Sequence, residues 1–283
     1  MSSTVLTEER SPETVPSPAP PSPGMRVTQW RVLRSEWLKF WSLRSSFFSL
    51  GGVLIAMVGF GGLFAAITAN RWVEMTAREH ARFDPTAVSL RGYFLAQLVV
   101  GVLGVLMVTG EYSTGMIRSS LGAVPRRLPV LVAKAAVFAA VTVVATSVTA
   151  IIAFSVGQGL LSSQHIGTTL AAPGVARAVL GTGLYLTVVG LLGVGLGFIV
   201  RSTAGGIGTL FGLLLVLPVL AEALPPSWAQ HISPYLPSTA GQQLIAVHQE
   251  SGMLAPWTGF GVFCLYALVT LALGAVLLRR RDA

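Results

Sequence analysis

The chain has 283 residues, of which 53% are hydrophobic and 11% are charged, whereas an ordinary globular domain carries roughly 25% charged residues. The formal net charge is +8, but the basic residues are spread over several short segments and form no single stripe, which argues against nucleic-acid binding. This composition predicts an integral membrane protein.

The first 46 residues divide into two parts. Residues 1–25 contain six prolines and no apolar core, which predicts a disordered, Pro-rich cytoplasmic tail. Residues 26–46 predict an amphipathic helix in the headgroup plane. On a helical wheel its aromatic side holds Trp30, Leu33, Trp37, Phe40 and Trp41, and its polar side holds Arg31, Ser35, Lys39 and Ser42, with Arg34 adding to the basic charge. The helix either anchors the first span at a fixed depth or transmits motion to it.

Six apolar stretches are long enough to cross a bilayer, whose hydrocarbon core of about 30 Å needs roughly 20 apolar residues per helix. They lie in the region 47–281, near 47–69, 92–109, 133–156, 175–200, 206–223 and 257–278. Each is apolar on all sides, whereas the strand of a membrane barrel alternates apolar and polar residues. The expected fold is therefore an all-α integral membrane protein with six transmembrane helices and a preceding amphipathic helix.

The positions of the basic residues predict the orientation of these spans. With both termini in the cytoplasm, and counting from Arg26 after the tail, thirteen Lys and Arg residues lie in inner segments and five in outer segments, as the positive-inside rule requires. The first outer loop is the exception, because it holds four of the five outer arginines: Arg71, Arg78, Arg82 and Arg91. Glu74, Glu79 and Asp84 lie among them. A cell-membrane protein with cytoplasmic termini is expected.

A polar insert interrupts the apolar chain between the second and third spans. It begins at Glu111 and reads "EYSTGMIRSSLGAVPRR". Met116, Ile117 and Leu121 can lie against a membrane or a partner while Arg118 and Ser119 face water. The alternative is an ordinary cytoplasmic loop with one charge at the interface.

Small residues and a long outer segment characterise the second half of the chain. Gly193 with Gly197, and Gly208 with Gly212, have the GxxxG spacing that allows close helix packing, which favours contacts within the bundle over a dedicated dimer seam. Residues 224–256 are too polar to span the membrane. Within them, 238–249 predict a short helix capped by Ser238 or Thr239; the alternative for the whole segment is an extracellular cap without a ligand.

The sequence lacks the common motifs for nucleotide binding, metal binding and catalysis. Its only lysines, Lys39 and Lys134, do not follow a P-loop glycine, so ATP binding of that kind is excluded. The four histidines are scattered over outer loops without metal-ligand spacing, and the sequence suggests no membrane-buried pair of carboxylates. Neither a catalytic site nor a metal or cofactor site is predicted, and the chain is not expected to be an enzyme.

Together these features resemble the permease subunit of a type 2 ATP-binding-cassette (ABC) exporter, in the compact bacterial form whose ATPase is a separate polypeptide. The resemblance covers roughly residues 26–281 and rests on the Trp-rich helix, the six spans, the E-Y-S-T-G-x-x-R motif from Glu111 and the long outer segment.

The resemblance implies a site and partners. The loop between the second and third spans would contain the coupling helix that sits on the ATPase, with Glu111, Tyr112, Ser113, Thr114, Gly115 and Arg118 at the matching positions. The N-terminal helix would adjoin it, with Arg31 or Arg34 paired to Glu111, and residues 224–256 would form the outer gate region. The expected partners are an ABC ATPase subunit carrying ATP and Mg, a second copy of this permease or a similar one, and membrane lipid.

Two other functions compete with the ABC permease. A secondary carrier or channel not driven by ATP usually shows buried ionisable groups or broken spans near the membrane midplane. A membrane-embedded enzyme shows His, Asp or Glu clustered near one interface. The sequence offers few such groups and no such cluster, so it favours the permease.

Overall fold

The computed structural model describes residues 28–116 and 128–280, and within these two stretches every regular element is helical. A first helix, α1, covers Gln29–Ser42. Six long apolar helices follow, here called spans 1 to 6: Arg44–Glu74, Pro85–Ser113, Leu128–Gln164, Val175–Val200, Thr203–Glu222 and Pro256–Arg280. The predicted all-α fold with six membrane-length helices is confirmed. The Pro-rich tail and Arg118 lie outside the described residues.

Three of the spans depart locally from a regular α-helix. Span 1 contains a π-helical turn at Ile55–Gly59 and span 5 one at Gly212–Val216. Span 2 consists of a short helix, Pro85–Leu90, and a long one, Tyr93–Ser113. A Cβ at Gly92, between these two pieces, would lie 2.5 Å from the Ala56 carbonyl oxygen in the π turn of span 1. Spans 1 and 2 therefore pack closely because this position has no side chain.

Span 3 is much longer than the apolar stretch that predicted it. It begins at Leu128 and ends at Gln164, so at 1.5 Å per residue it is about 55 Å long, against a hydrocarbon core of about 30 Å. Hydropathy identifies only the lipid-facing part of such a helix. The described length exceeds what crossing the apolar layer requires.

Span 4 lies at the centre of the bundle and packs against spans 2, 3 and 6. A Cβ at Gly193 would lie 2.6 Å from the Gly101 carbonyl oxygen of span 2, and one at Gly197 would lie 2.9 Å from Val108 Cβ. This GxxxG pair therefore packs within the bundle, as predicted. Gly208 and Gly212 differ, because no described atom lies within 4 Å of a Cβ at either position.

Residues 224–256, which we call the outer segment after the side predicted for them, fold back onto spans 4 and 6. The outer segment contains two short helices, Pro226–Ile232 and Pro237–Gln242. The predicted capping was wrong: Leu236 occupies the N-cap position without a side-chain hydrogen bond, and Ser238 is buried. Pro237 at the first helical position needs no N–H partner, which lowers the need for a polar cap.

Arg177, at the start of span 4, binds the backbone that follows the helix Pro237–Gln242. Its guanidinium donates to the carbonyl oxygens of Gln243 (3.3 Å), Leu244 (2.9 Å) and Ala246 (2.9 Å). These carbonyls follow a helix end and lack intrahelical donors. One arginine thereby ties the outer segment to the central span.

The glycine packing of span 4 gives a stability prediction. Gly193→Ala places a methyl group against the span 2 backbone, which cannot yield as a flexible side chain would, so we expect a loss of about 1–3 kcal/mol. Gly261→Ala in span 6 is the matched control, because its Cβ meets no described atom within 4 Å. Thermal unfolding of the purified protein in detergent measures both; equal melting temperatures would contradict the proposed close approach of spans 2 and 4.

Candidate functional site: a buried charge ring

Four charged side chains meet where α1, the end of span 2 and the start of span 3 converge. Lys134 Nζ lies 2.7 Å from Glu36 Oε2 and 3.0 Å from Glu111 Oε1. Lys39 Nζ lies 2.8 Å from Glu36 Oε1 and 3.1 Å from Glu111 Oε1. Each ammonium group thus donates to both carboxylates, and each carboxylate accepts from both lysines. We call these four residues the charge ring.

The charge ring is largely removed from solvent. Glu36 and Lys134 are each 1% exposed and Glu111 is 7% exposed, while the Lys39 side chain retains 29% exposure. Burying single charges is costly, and each needs an opposite charge with good hydrogen-bond geometry. The alternation of two acids and two bases gives each charge two opposite partners and leaves no net charge, while Glu111 Oε2 has no hydrogen-bond partner among the described residues.

Local sequence explains how α1 contributes two members. Val32, Glu36 and Phe40, spaced four residues apart, form the buried stripe that packs toward span 3. Lys39 follows Glu36 by three residues and therefore lies beside it on the helix surface. A lysine ammonium is compact and has three donors, so it can reach two carboxylates at once.

The helical wheel of α1 assigned its sides incompletely. Trp30, Trp37 and Trp41 are all exposed, and the side that faces the bundle is the separate stripe containing Glu36. Trp30 and Trp37, with Arg34, line an apolar groove of about 500 Å³ against Ala136 and its neighbours in span 3. The location of this helix in the headgroup plane stays a prediction.

The predicted partners of Glu111 were wrong. Its carboxylate accepts hydrogen bonds from Lys39 and Lys134, whereas the expected partner was Arg31 or Arg34. Sequence analysis also did not find that Glu36 and Glu111 form a carboxylate pair, buried within the protein, that shares both lysines. Sequence separation concealed the cluster, since Lys134 is 98 residues from Glu36. The available signal was that both lysines of the chain and both of these carboxylates fall beside predicted inner ends of spans.

The two ring members on α1 have shifted pKa values. Burial by itself would raise the pKa of Glu36, but the charges and hydrogen bonds of Lys134 and Lys39 outweigh it and hold the pKa below its ordinary value. Burial would likewise lower the pKa of Lys39, but Glu36 and Glu111 raise it overall. Both groups are therefore ionised at neutral pH.

A second set of contacts holds the other side of the end of span 2. The Arg201 guanidinium lies over the Tyr112 ring, 5.1 Å from its centroid, and Thr203 Oγ1 donates to Thr109 Oγ1 at 2.9 Å. Arg201 has a positive φ of 56° and ends span 4. Sequence reasoning assigned Arg201 only to topology, although its position as a lone charge between two apolar spans was visible.

The motif residues that follow Glu111 continue span 2 and then stop it. Ser113 Oγ and Thr114 Oγ1 both donate to the Gly110 carbonyl oxygen, at 3.0 and 2.9 Å. Gly115 has φ +70°, the left-handed conformation that commonly ends a helix and suits glycine. The structure thus places Glu111, Tyr112, Ser113, Thr114 and Gly115 in one helix end.

Comparison with known families identifies this arrangement. The profile described as "ABC-2 family transporter protein" matches residues 32–221, about two thirds of the chain and all four ring residues. The chain belongs to the ABC-2 transporter family. It is therefore a multi-pass membrane protein of transmembrane transport, and membership in this ABC-2 family implies partnership with an ABC ATPase. The outer segment from 224 and span 6 lie beyond the matched residues. No match was found among curated proteins.

Removal of one ring member in this ABC-2 protein tests the energetics of the cluster. Lys134→Met leaves two buried carboxylates with only Lys39, and we expect a loss of about 3 kcal/mol. Lys39→Met, at the more exposed corner, is expected to cost about 1 kcal/mol. Glu36→Gln combined with Lys134→Met keeps the pair Lys39–Glu111 and should cost less than Lys134→Met alone. Thermal unfolding measures all three; a double variant less stable than Lys134→Met would contradict the ring.

The pKa shifts give a pH prediction. The stabilisation from Glu36, whose pKa lies below 4.5, is complete above that value and is lost as pH falls through the folded-state pKa. The stabilisation from Lys39, whose pKa lies above 10.5, is complete below that value and is lost as pH rises through the folded-state pKa. The melting-temperature difference between wild type and Glu36→Gln should therefore be constant between about pH 5 and about pH 9. A steady decline across that range would be inconsistent with these pKa directions.

Proposed function

We propose that this chain is the permease subunit of an ABC exporter, forms the translocation path, and is driven by a separate ATPase subunit that binds ATP and Mg. Membership in the ABC-2 family supports the ATP-driven class of transport. The observation that carries the coupling part of the proposal is the charge ring, since it joins the predicted coupling segment to two other helices.

The coupling segment in this proposal is Glu111 to Gly115 together with Arg118. When the ATPase subunits close on ATP, they displace this segment. The ring passes the displacement to α1 through Glu36 and Lys39 and to span 3 through Lys134. The Arg201–Tyr112 contact passes it to the turn between spans 4 and 5. Such a shift would bias the bundle between two packings, as any differential interaction biases a two-state element.

The ring also favours one of the two interpretations of α1. A simple anchor needs only its exposed aromatic residues at the interface. The buried pair of Glu36 with Lys134 adds a connection to span 3 that anchoring does not require. We therefore propose that α1 transmits motion, and that it does so on the cytoplasmic side with both chain termini.

A second permease copy or a similar permease completes the proposed transporter. Span 5 presents open space at Gly208 and Gly212, and its outer half exposes Val216, Leu217, Val219 and Leu220. A GxxxG pair without a neighbour permits close approach of another helix. The remaining exposed faces of the spans contact membrane lipid.

Gly115 provides the test of coupling. Proline fixes φ near −65° and cannot adopt the φ of +70° found at this position. Gly115→Pro should reorient the coupling segment and reduce permease-dependent ATPase activity at least about tenfold. Membrane insertion should be unaffected, because the ring and the spans are unchanged. The measurement is ATP hydrolysis by the permease–ATPase complex in nanodiscs, relative to the ATPase alone.

The matched control is Gly110→Ala, five residues earlier. Its Cβ also meets no described atom within 4 Å, but it lies within the helix and needs no positive φ. Glu111→Gln should impair coupling as well, since it removes one charge from the ring. Normal ATPase stimulation by Gly115→Pro, or ATP-independent transport by wild type, would reject the coupling proposal; the latter would indicate a secondary carrier.

A further inference from the structure

The first outer loop is the part of the chain that the proposed function leaves unexplained. Arg71, Arg78, Arg82 and Arg91 lie on the side opposite to α1, which the sequence predicts to be the outer side. Positive charges there oppose the bias that orients membrane proteins. A function on that side would explain why these arginines are present.

The loop has a defined structure between spans 1 and 2. Thr76 and Glu79 form a capping box at a short helix, with the Glu79 Oε2 accepting from Thr76 N at 2.7 Å. Asp84 caps the next helix by accepting from the backbone N–H of Thr86 and Ala87, at 2.8 and 3.1 Å. Trp72 and Phe83 contact edge to face, with ring centroids 4.8 Å apart. The backbone that carries the arginines is therefore held by local bonds.

These caps direct the hydrogen bonds of Glu79 and Asp84 to the loop backbone and to Thr76, and neither carboxylate forms a close ion pair with an arginine among the described residues. The hydrogen bonds from the backbone and side chain of Thr76 lower the pKa of Glu79, and Asp84 is directed at backbone N–H groups. Within 28–116 and 128–280, the ion pairs shorter than 4.0 Å are those of the charge ring. The guanidinium of Arg91 lies over the Phe64 ring at 4.7 Å. Arg78, Arg82 and Arg91 thus lack a carboxylate partner among the described residues.

The same three arginines line a cavity of about 930 Å³ at this end of the bundle. Its apolar walls include Phe83, Tyr93 and Phe94, and Phe94 is half exposed. Glu79 and Asp84 also line it, so three arginines face two carboxylates and the lining keeps an excess of positive charge. Arg71 does not line it. The volume of this cavity falls within the range of small-molecule sites.

We propose that this cavity binds an anionic amphiphile, a molecule with a phosphate or carboxylate group and an apolar body. The acidic group would lie among Arg78, Arg82 and Arg91, because guanidinium groups match phosphate and carboxylate oxygens with paired hydrogen bonds. The apolar body lies against the aromatic wall. The site is independent of the ATPase proposal, since binding requires only this chain.

The experiment uses the full-length protein in phosphatidylcholine nanodiscs without an ATPase subunit. The probe is a fluorescent oleoyl lysophosphatidate, and the comparison ligand is the lysophosphatidylcholine with the same chain and fluorophore. Wild type should bind the phosphate monoester at least about tenfold more tightly than the zwitterionic ligand. Arg78→Gln with Arg82→Gln should abolish that preference, and Ala87→Trp, which fills the cavity, should weaken both ligands.

Arg71→Gln is the matched control, because it removes an arginine from the same loop but not from the cavity lining. It should bind the probe as wild type does. An equal loss of probe binding in Arg71→Gln and in the double variant would show that binding depends only on the total charge of the loop, and this would overturn the site. Unchanged binding in Ala87→Trp, or full displacement of the probe by inorganic phosphate at the same concentration, would overturn the amphiphile assignment.

A further arm identifies the source of the ligand. Phosphatidylglycerol replaces part of the phosphatidylcholine in the nanodisc, and displacement of the probe is measured. Displacement would assign the cavity to a bilayer lipid headgroup with its chain. Retention of the probe would assign it to a free amphiphile that enters from the aqueous side. Both results require the arginine-dependent preference established first.

Discussion

The structure depends on the mutual neutralisation of four charges in a place with little water. Glu36, Lys39, Glu111 and Lys134 come from three helices, and the three buried ions among them, Glu36, Glu111 and Lys134, each have two opposite charges within about 3 Å. A change in the relative position of α1, span 2 or span 3 would leave a buried charge without its partner. The cluster therefore favours motion of these three elements as one body, and it sets the energetic scale for any rearrangement of the bundle.

Two different kinds of interaction hold the end of span 2 from two sides. The ring holds Glu111 by charge, whereas Arg201 holds Tyr112 through its aromatic face. Between them, the helix terminates at Gly115 in a conformation that a side chain would strain. Farther along the same helix, glycines let spans 2 and 4 approach to backbone contact. A helix end with attachments on both sides is suited to the coupling role proposed for it.

The sequence was sufficient for the fold because bilayer thickness and backbone satisfaction leave few choices for apolar stretches of this length. It was also sufficient to single out Glu111. It could not supply the partners, because Lys134 approaches Glu36 only after span 3 has packed against α1, and no periodicity connects residues 98 apart. The wheel of α1 failed at Glu36 for the same reason: a wheel distinguishes polar from apolar sides but cannot identify a charge that another helix neutralises. The cap of the outer helix failed because Pro237 removed the need for one.

The unusual length of span 3 has a mechanical consequence. It is one continuous helix, and Lys134 near its first end and Gln158 near its last are separated by 24 positions, or about 36 Å along its axis. Gln158 donates to the Pro85 carbonyl oxygen at 3.0 Å and to Ser89 Oγ at 3.0 Å. It is therefore bound to the short helix Pro85–Leu90, which borders the arginine-lined cavity. If such a rod pivots about its midpoint, its two ends swing in opposite directions. In the proposed transporter, a displacement at the charge ring would thus reach the opposite end of span 3 without passing through the central span.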